Sequence, residues 1–387
     1  MLLLKKQEGG LVLRRASALV LTAHYGNGHL QVANVIASEL KQKGFEPIIS
    51  DLFGESYPVF TTFTQSLLVK SVSYGPSFYK WFYYGTKKVN SKGLSQFSRY
   101  LGRKRLQELI NVHRPYFIIT TFPLHAAPFL SKRSGFFIPT YTVITDYCIH
   151  PYWINPLIDH YFVGSESVKN TLLNQNIKGK CITVSGIPIR PEFEMLIDKR
   201  TIYQKYNLDL NKKIITVLAG ALGVLKHVKE LCQLLVCNPT YHIVAICGKN
   251  KNLYDKLLPL ALRYPESFHL FGYEEKVHEL MAISDCLITK PGGITLTEAT
   301  ALKIPLILYN PVPGQEGENA RHFEGNGAAL VSRTKMETVQ HVHALTRNED
   351  LAQSMKKALH IIHKSQSSAL IADFAINQIK QQDSIFR

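Results

Sequence analysis

A short apolar run, a glycine-rich turn and then a helix pattern open both halves of this 387-residue chain, and no other feature restricts the fold as strongly. In the first half, residues 18–23 (ALVLTA) read as a buried strand, 24–29 (HYGNGH) as a tight turn and 30–43 as a helix. In the second, residues 213–218 lead through 219–224 (AGALGV) into a helix near 228–237. Glycine lets the backbone turn sharply and lie close to a ligand, and strand, glycine turn, helix is how a doubly wound parallel sheet begins. Further apolar runs at 47–52, 116–121, 140–145, 161–165, 181–185, 241–247, 269–272, 286–289 and 305–309 continue the alternation of strand and helix. An α/β protein of two Rossmann-like doubly wound domains with a cleft between them is the simplest architecture. The boundary is set at 186–191 (GIPIRP), where Gly and Pro punctuate the chain and the charge balance changes. This predicts domains over 1–190 and 191–387, with a helical tail over 335–380.

Composition excludes several classes. The chain is 45% hydrophobic with a mean hydropathy of -0.04, and it holds no run approaching the ~18 apolar residues of a membrane span. The apolar stretches at 2–4 and 18–23 are shorter than the roughly 7–15 residues of a secretory signal core, so the expected location is cytoplasmic. Six cysteines include no CxxC pair and lie mostly in apolar runs, which reads as reduced core residues rather than disulfides or a metal site. The net charge of +16 is lopsided: residues 1–190 carry 22 basic and 9 acidic side chains, whereas 191–387 carry 23 and 20. An acidic polymer or an anionic membrane is therefore drawn to the first half.

Residues 70–105 concentrate that charge. Nine Lys or Arg, among them the pair Lys87 and Lys88, and no acid are interleaved with aromatics that include Tyr79, Trp81 and Phe82. Rings at an apolar boundary with cations on phosphate suit a lipid interface. Stacking of single-stranded nucleic acid, or a helical subdomain with aromatic core and solvated lysines, fits the same composition. Upstream, Asp51 follows the first glycine turn at roughly the interval of a ribose-binding acid in a dinucleotide fold, which permits a dehydrogenase. The third glycine of G-x-G-x-x-G would fall at Gln31, however, and His29 stands where such loops rarely need an imidazole.

In the second half, 290–319 (KPGGITLTEATALKIPLILYNPVPGQEGEN) packs a Pro-Gly-Gly turn, a helix start, a short strand and a second polar turn together. Gly292 and Gly293 allow close approach of backbone N–H groups to an anion at a helix N-terminus, and Glu298 lies where a carboxylate could hold ribose hydroxyls. For Gly-Gly taken alone, an ordinary strand-loop-helix joint with a capping threonine is the better account.

The ordered set YGNGH (25–29), TDY (145–147), GIP (186–188), KPGG (290–293) and PGQEGEN (313–319) resembles the monogalactosyldiacylglycerol synthase family, and within it the bacterial branch that glucosylates diacylglycerol. The resemblance runs from about residue 18 to residue 364. It implies a GT-B fold, with UDP-sugar on the C-terminal domain, lipid acceptor on the N-terminal one and the last helix packed back on the N-terminal domain. It implies that the Gly220–Gly223 loop faces the diphosphate and that Phe271, Gly272 and Tyr273 lie against uracil. Pro291, Gly292, Gly293, Thr295 and Glu298 form the donor turn, and Gln315, Glu316 and Asn319 bind near the sugar. His29 and Asp146 match acceptor-side positions where a catalytic base is sought, beside Gly26 and Gly28. Leu222 departs from relatives that often carry a polar residue or His there, leaving backbone N–H groups, Lys226 or His227 for the phosphates.

The implied reaction is inverting transfer of glucose from UDP-glucose to 1,2-diacylglycerol and onward to the monoglucosyl lipid, as in glycolipid and lipoteichoic acid anchor synthesis. Such chemistry needs a base on the attacking hydroxyl and charge stabilisation for the leaving diphosphate. A neutral imidazole with an ordinary pKa of about 6.5 suits the first task, and a glycine loop at a helix N-terminus can replace a metal in the second. The chain contains no Asp-x-Asp, so no metal and no cofactor is expected. The implied partners are UDP-glucose, diacylglycerol, glucosyldiacylglycerol and an anionic membrane surface, with no nucleic acid, at the cytoplasmic face of the cell membrane. A UDP-sugar-responsive binding protein without turnover, or a transferase using UDP-galactose or UDP-N-acetylglucosamine, remain alternatives.

Overall fold

The computed structural model describes residues 2–7, 10–24, 27–57, 99–133, 137–219, 225 and 227–385. They form two compact units, one of residues 1–190 with 364–387 and the other of 191–363.

Unit 1 begins with an antiparallel hairpin, β1 (Leu2–Gln7) and β2 (Gly10–Arg15), which the sequence reading did not anticipate. Next come β3 (Ser17–Thr22), α1 (Asn27–Gln42), β4 (Glu46–Asp51), α2 (Leu52–Ser56), α3 (Arg103–His113), β5 (Ile118–Thr120) and α4 (Ala126–Arg133). The unit continues with β6 (Thr140–Val143), β7 (His160–Val163), α5 (Glu166–Asn174) and β8 (Ile182–Val184). The six-stranded sheet is parallel throughout, in the order β4-β3-β5-β6-β7-β8. Its central strands are buried on both faces, which is why they read as continuous apolar runs rather than alternating ones. In α1, Val32, Ala33, Ile36, Ala37 and Leu40 fall on one helical stripe and are buried.

Unit 2 contains α6 (Lys199–Lys205), β9 (Lys213–Leu218), α7 (Val228–Val236), β10 (Tyr241–Ile246), α8 (Lys251–Arg263), β11 (Phe268–Phe271), α9 (Val277–Ala282) and β12 (Cys286–Thr289). It continues with α10 (Gly293–Ala301), β13 (Leu306–Tyr309), α11 (Gln315–Gly325), β14 (Ala329–Ser332), α12 (Lys335–Arg347) and α13 (Glu349–Ile362). Its parallel sheet has the order β11-β10-β9-β12-β13-β14. The last strand, only four residues long, was not read from the sequence.

The chain then returns to unit 1 as α14 (Ser367–Ile385). Ile371, Ala372, Ala375 and Ile379 form its buried stripe, and the Phe374 ring lies 5.7 Å from Tyr141, 4.1 Å from His160 and 5.3 Å from Phe162. Lys43 at the end of α1 pairs with Asp373 at 2.8 Å. Among the described residues no helix is long and apolar enough to cross a membrane. No disulfide joins the cysteines among the described residues; Cys232, Cys247 and Cys286 are buried, and Cys237, expected in the core, is exposed.

Candidate active site

In unit 1 the strand order reverses between β4 and β5 on either side of β3, so the carboxyl ends of β3 and β5 flank a topological switch point, where open α/β sheets place ligands. His29 stands there in the first turn of α1. Its Nδ1 is 3.0 Å from the Thr145 hydroxyl, and its backbone carbonyl accepts a bond from the Thr121 hydroxyl at 3.0 Å. The ring packs edge-on to Phe122 at 5.2 Å and lies 6.0 Å from Trp153. Part of the residue reaches solvent, but the ring sits among these side chains, and that desolvation lowers its pKa to about 4. Asp146 directly follows the Thr145 that holds His29, and it is buried at 7% exposure. Gly28 is half-buried beside His29. Thr145 belongs to the TDY motif but had no role of its own, and Thr121, Phe122 and Trp153 are site-forming residues for which no role was read from the sequence, since a lone hydroxyl or ring beyond a strand end carries no motif signal.

Asp51, the candidate ribose acid of the dehydrogenase reading, is engaged elsewhere. Its Oδ2 accepts from His24 Nδ1 at 2.5 Å, and its Oδ1 accepts from the Gly54 backbone N–H at 2.9 Å, capping α2.

In unit 2 the reversal falls between β9 and β12. Beyond β12, residues 290–292 lead into α10, whose N-cap is Gly292 in extended conformation (φ -78°, ψ 135°) with no side-chain cap. The capping threonine is thus absent, and Thr297 instead bonds back to the Gly293 carbonyl at 2.7 Å. A Cβ at Gly292 would meet nothing within 4 Å, so the protein leaves open space beside this turn. Thr295 is half-buried and Glu298, one turn on, is 7% exposed. The helix start therefore offers backbone N–H groups and the positive end of a peptide dipole array, with a carboxylate beyond.

The second turn braces the first. Asn319, fully buried in α11, donates its Nδ2–H to the Pro291 carbonyl at 3.0 Å. Glu316 accepts from the Val312 backbone N–H at 3.0 Å and lies 3.5 Å from Lys290 Nζ. Gly314 (φ 110°, ψ -137°) occupies a region closed to other residues and aims α11, so that half-buried Gln315 begins that helix. Asn319 thus holds the backbone of the Pro-Gly-Gly turn, and Glu316 ties the second turn to the side chain of Lys290 just before it. Phe271 and Gly272, half-buried at the end of β11, are followed by Tyr273, 67% exposed with Lys249 Nζ 5.6 Å from its ring centroid.

Gly26, Tyr79, Trp81, Phe82, Lys87, Lys88, Gly220, Gly223, Leu222 and Lys226 lie outside the described residues. Of the basic residues in the window, Arg99, Arg103, Lys104 and Arg105 are described. Arg105 is paired with Glu55 at 2.7 Å and Glu108 at 3.5 Å, while Arg99 and Arg103 lie over the Phe129 and Tyr100 rings.

Residues 29–189 match the monogalactosyldiacylglycerol (MGDG) synthase family, and 198–360 match glycosyl transferases group 1. Among solved structures, the S. aureus MnaA–UDP structure superposes with a TM-score of 0.62 at 15% identity, covering 95% of this chain and 97% of that one. MurG of Acinetobacter baumannii gives 0.61 at 12% identity, covering 94% and 99%. These neighbours establish the GT-B glycosyltransferase fold. The processive diacylglycerol beta-glucosyltransferase of Bacillus cereus (strain AH187) is 44% identical over 363 residues, 94% of each chain. That of Bacillus pumilus (strain SAFR-032) is 46% identical over 353 residues, 90% of this chain and 92% of the relative. With this likeness spanning both units and both switch points, the chain belongs to the family of processive diacylglycerol β-glucosyltransferases.

Proposed function

We propose that this enzyme transfers glucose from UDP-glucose to the free hydroxyl of 1,2-diacylglycerol and then to the monoglucosyl product. The observation that carries this reading is 44–46% identity to enzymes of that name over nearly the whole chain. The acceptor oxygen attacks C1 of glucose, the bond from C1 to the diphosphate oxygen breaks with its electron pair leaving on UDP, and the hydroxyl proton passes to a base. His29 and Asp146 are the proton-handling groups of unit 1. Because burial lowers the His29 pKa to about 4, the imidazole stays neutral and suits a hydrogen-bonding role toward the hydroxyl, with Asp146, the residue after Thr145, as the carboxylate that takes up the proton. On the donor side, the α10 N-terminus and the glycine turns stabilise the leaving diphosphate, and Glu298 holds the ribose. No resident metal is needed in this scheme.

The basic, aromatic window at 70–105 attaches the protein to the anionic cytoplasmic face of the cell membrane, where the acceptor resides. Purified protein, labelled UDP-glucose and diacylglycerol in mixed micelles test the activity. Labelled glycolipid is expected, and its absence from folded, UDP-glucose-binding protein would leave a non-catalytic donor-binding role.

A further inference from the structure

Between β3 and α1, the described residues on either side of 25–26 are each held by side chains from neighbouring strands. On the far side, His29 is tied to Thr121 beyond β5 and to Thr145 beyond β6. On the near side, one oxygen of Asp51 at the end of β4 accepts both the backbone N–H of His24, at 3.3 Å, and its ring Nδ1–H, at 2.5 Å. The other oxygen is held by the Gly54 N–H at 2.9 Å. Asp51 is therefore fixed by α2 and fixes His24 in turn, joining two loops 27 residues apart in sequence.

The room for this carboxylate comes from Gly54. A Cβ there would stand 2.5 Å from Asp51 Oδ2 and 2.9 Å from its Cγ, so any other residue displaces the clamp. The His24 side chain is 51% exposed and Asp51 11%, so burial of His24 contributes little and the bond itself holds the turn.

We propose that His24, Asp51 and Gly54 form a positioning clamp that sets the start of the β3–α1 turn and through it the placement of His29 against the acceptor. The assignment rests on the acceptor-side reading of unit 1. His24 contributes a donor to Asp51, not a base to the reaction. Misplacement of a reacting group by about 1 Å costs on the order of 100-fold in rate, so a loosened turn is read in turnover before it is read in stability.

Three variants of the full chain test this with UDP-glucose and diacylglycerol micelles. His24→Ala removes the donor, Gly54→Ala evicts the acceptor, and His24→Asn keeps an N–H donor without an imidazole. His24→Ala and Gly54→Ala are expected to lower kcat/KM for diacylglycerol by about 10-fold or more, with KM for UDP-glucose within about twofold and melting little changed. His24→Asn is expected to recover most of the lost rate. Full turnover by His24→Ala would overturn the clamp, as would a parallel loss in His24→Ala and His24→Asn, which would make the imidazole itself the working group. A rise in KM for UDP-glucose matching the loss in rate, or loss of rate only in step with unfolding, would also overturn it. Failure of the unaltered protein to glucosylate diacylglycerol would overturn the proposed function, and the clamp's role with it.

Discussion

At the scale of single residues, Gly292 distinguishes a demand of the fold from a demand of the ligand. Its backbone is extended and a Cβ would touch nothing within 4 Å, so Gly292→Ala is expected to leave thermal stability unchanged. A diphosphate seated on the α10 N-terminus would meet the added methyl, and calorimetric titration is expected to show weaker UDP binding. Loss of stability with unaltered UDP affinity would contradict this. Three buried or ring-packed histidines, His29, His160 and His242, have pKa values lowered to about 4 by desolvation. The unfolded chain takes up these protons near pH 6.5 and the folded one only near 4. Their contribution to stability is thus full above about pH 6.5 and is lost as pH falls toward 4, by at most about 3 kcal/mol for each group. Urea midpoints measured from pH 7 to pH 4.5 are expected to fall steadily; flat midpoints would show that the rings protonate in the folded state.

At the scale of elements, the strands were legible because parallel strands buried on both faces are unbroken apolar runs. Residues 213–218 and 286–289 are strands to the residue, and the edges of others moved by one or two positions. Leu52, read as the end of a strand, opens α2 because the Asp51 carboxylate caps the next turn. Hairpin β1–β2 and strand β14 were missed: the first offers no alternation, the second only four residues after a glycine. The glycine turns of the candidate site were visible in sequence, whereas the braces were not, because a side chain that holds a distant carbonyl has no local signature. Asn319 is such a brace. Asn319→Ala leaves the buried Pro291 carbonyl without this donor and is expected to cost about 1–3 kcal/mol. The same change is expected to raise KM for UDP-glucose; calorimetric melting and steady-state kinetics measure the two effects, and an unchanged KM would separate the brace from the donor turn.

At the scale of the whole molecule, each sheet reverses its order once, and His29 in unit 1 and the 290–298 turn in unit 2 lie beyond the carboxyl ends of strands at that reversal. Sequence alone reached this arrangement through the order of motifs along the chain, since no single motif carries it. A reaction that relies on helix termini and backbone donors is expected to proceed unchanged after chelation with EDTA; loss of activity restored by a divalent cation would contradict that scheme. Membrane attachment through the basic window is expected to weaken with salt, because a Debye length of about 10 Å at 0.1 M already screens exposed charges. Sedimentation with anionic vesicles checks this, and salt-indifferent binding would point to inserted aromatic rings instead. The most direct measurement is mass spectrometry of the lipid products when purified protein meets diacylglycerol and an equal mixture of UDP-glucose carrying a uniformly carbon-13-labelled glucose, unlabelled UDP-galactose and UDP-N-acetylglucosamine, so that each sugar adds a different mass. Monohexosyl and then dihexosyl diacylglycerol carrying glucose are expected, and a product carrying another sugar, or donor binding without any glycolipid, would contradict the assignment.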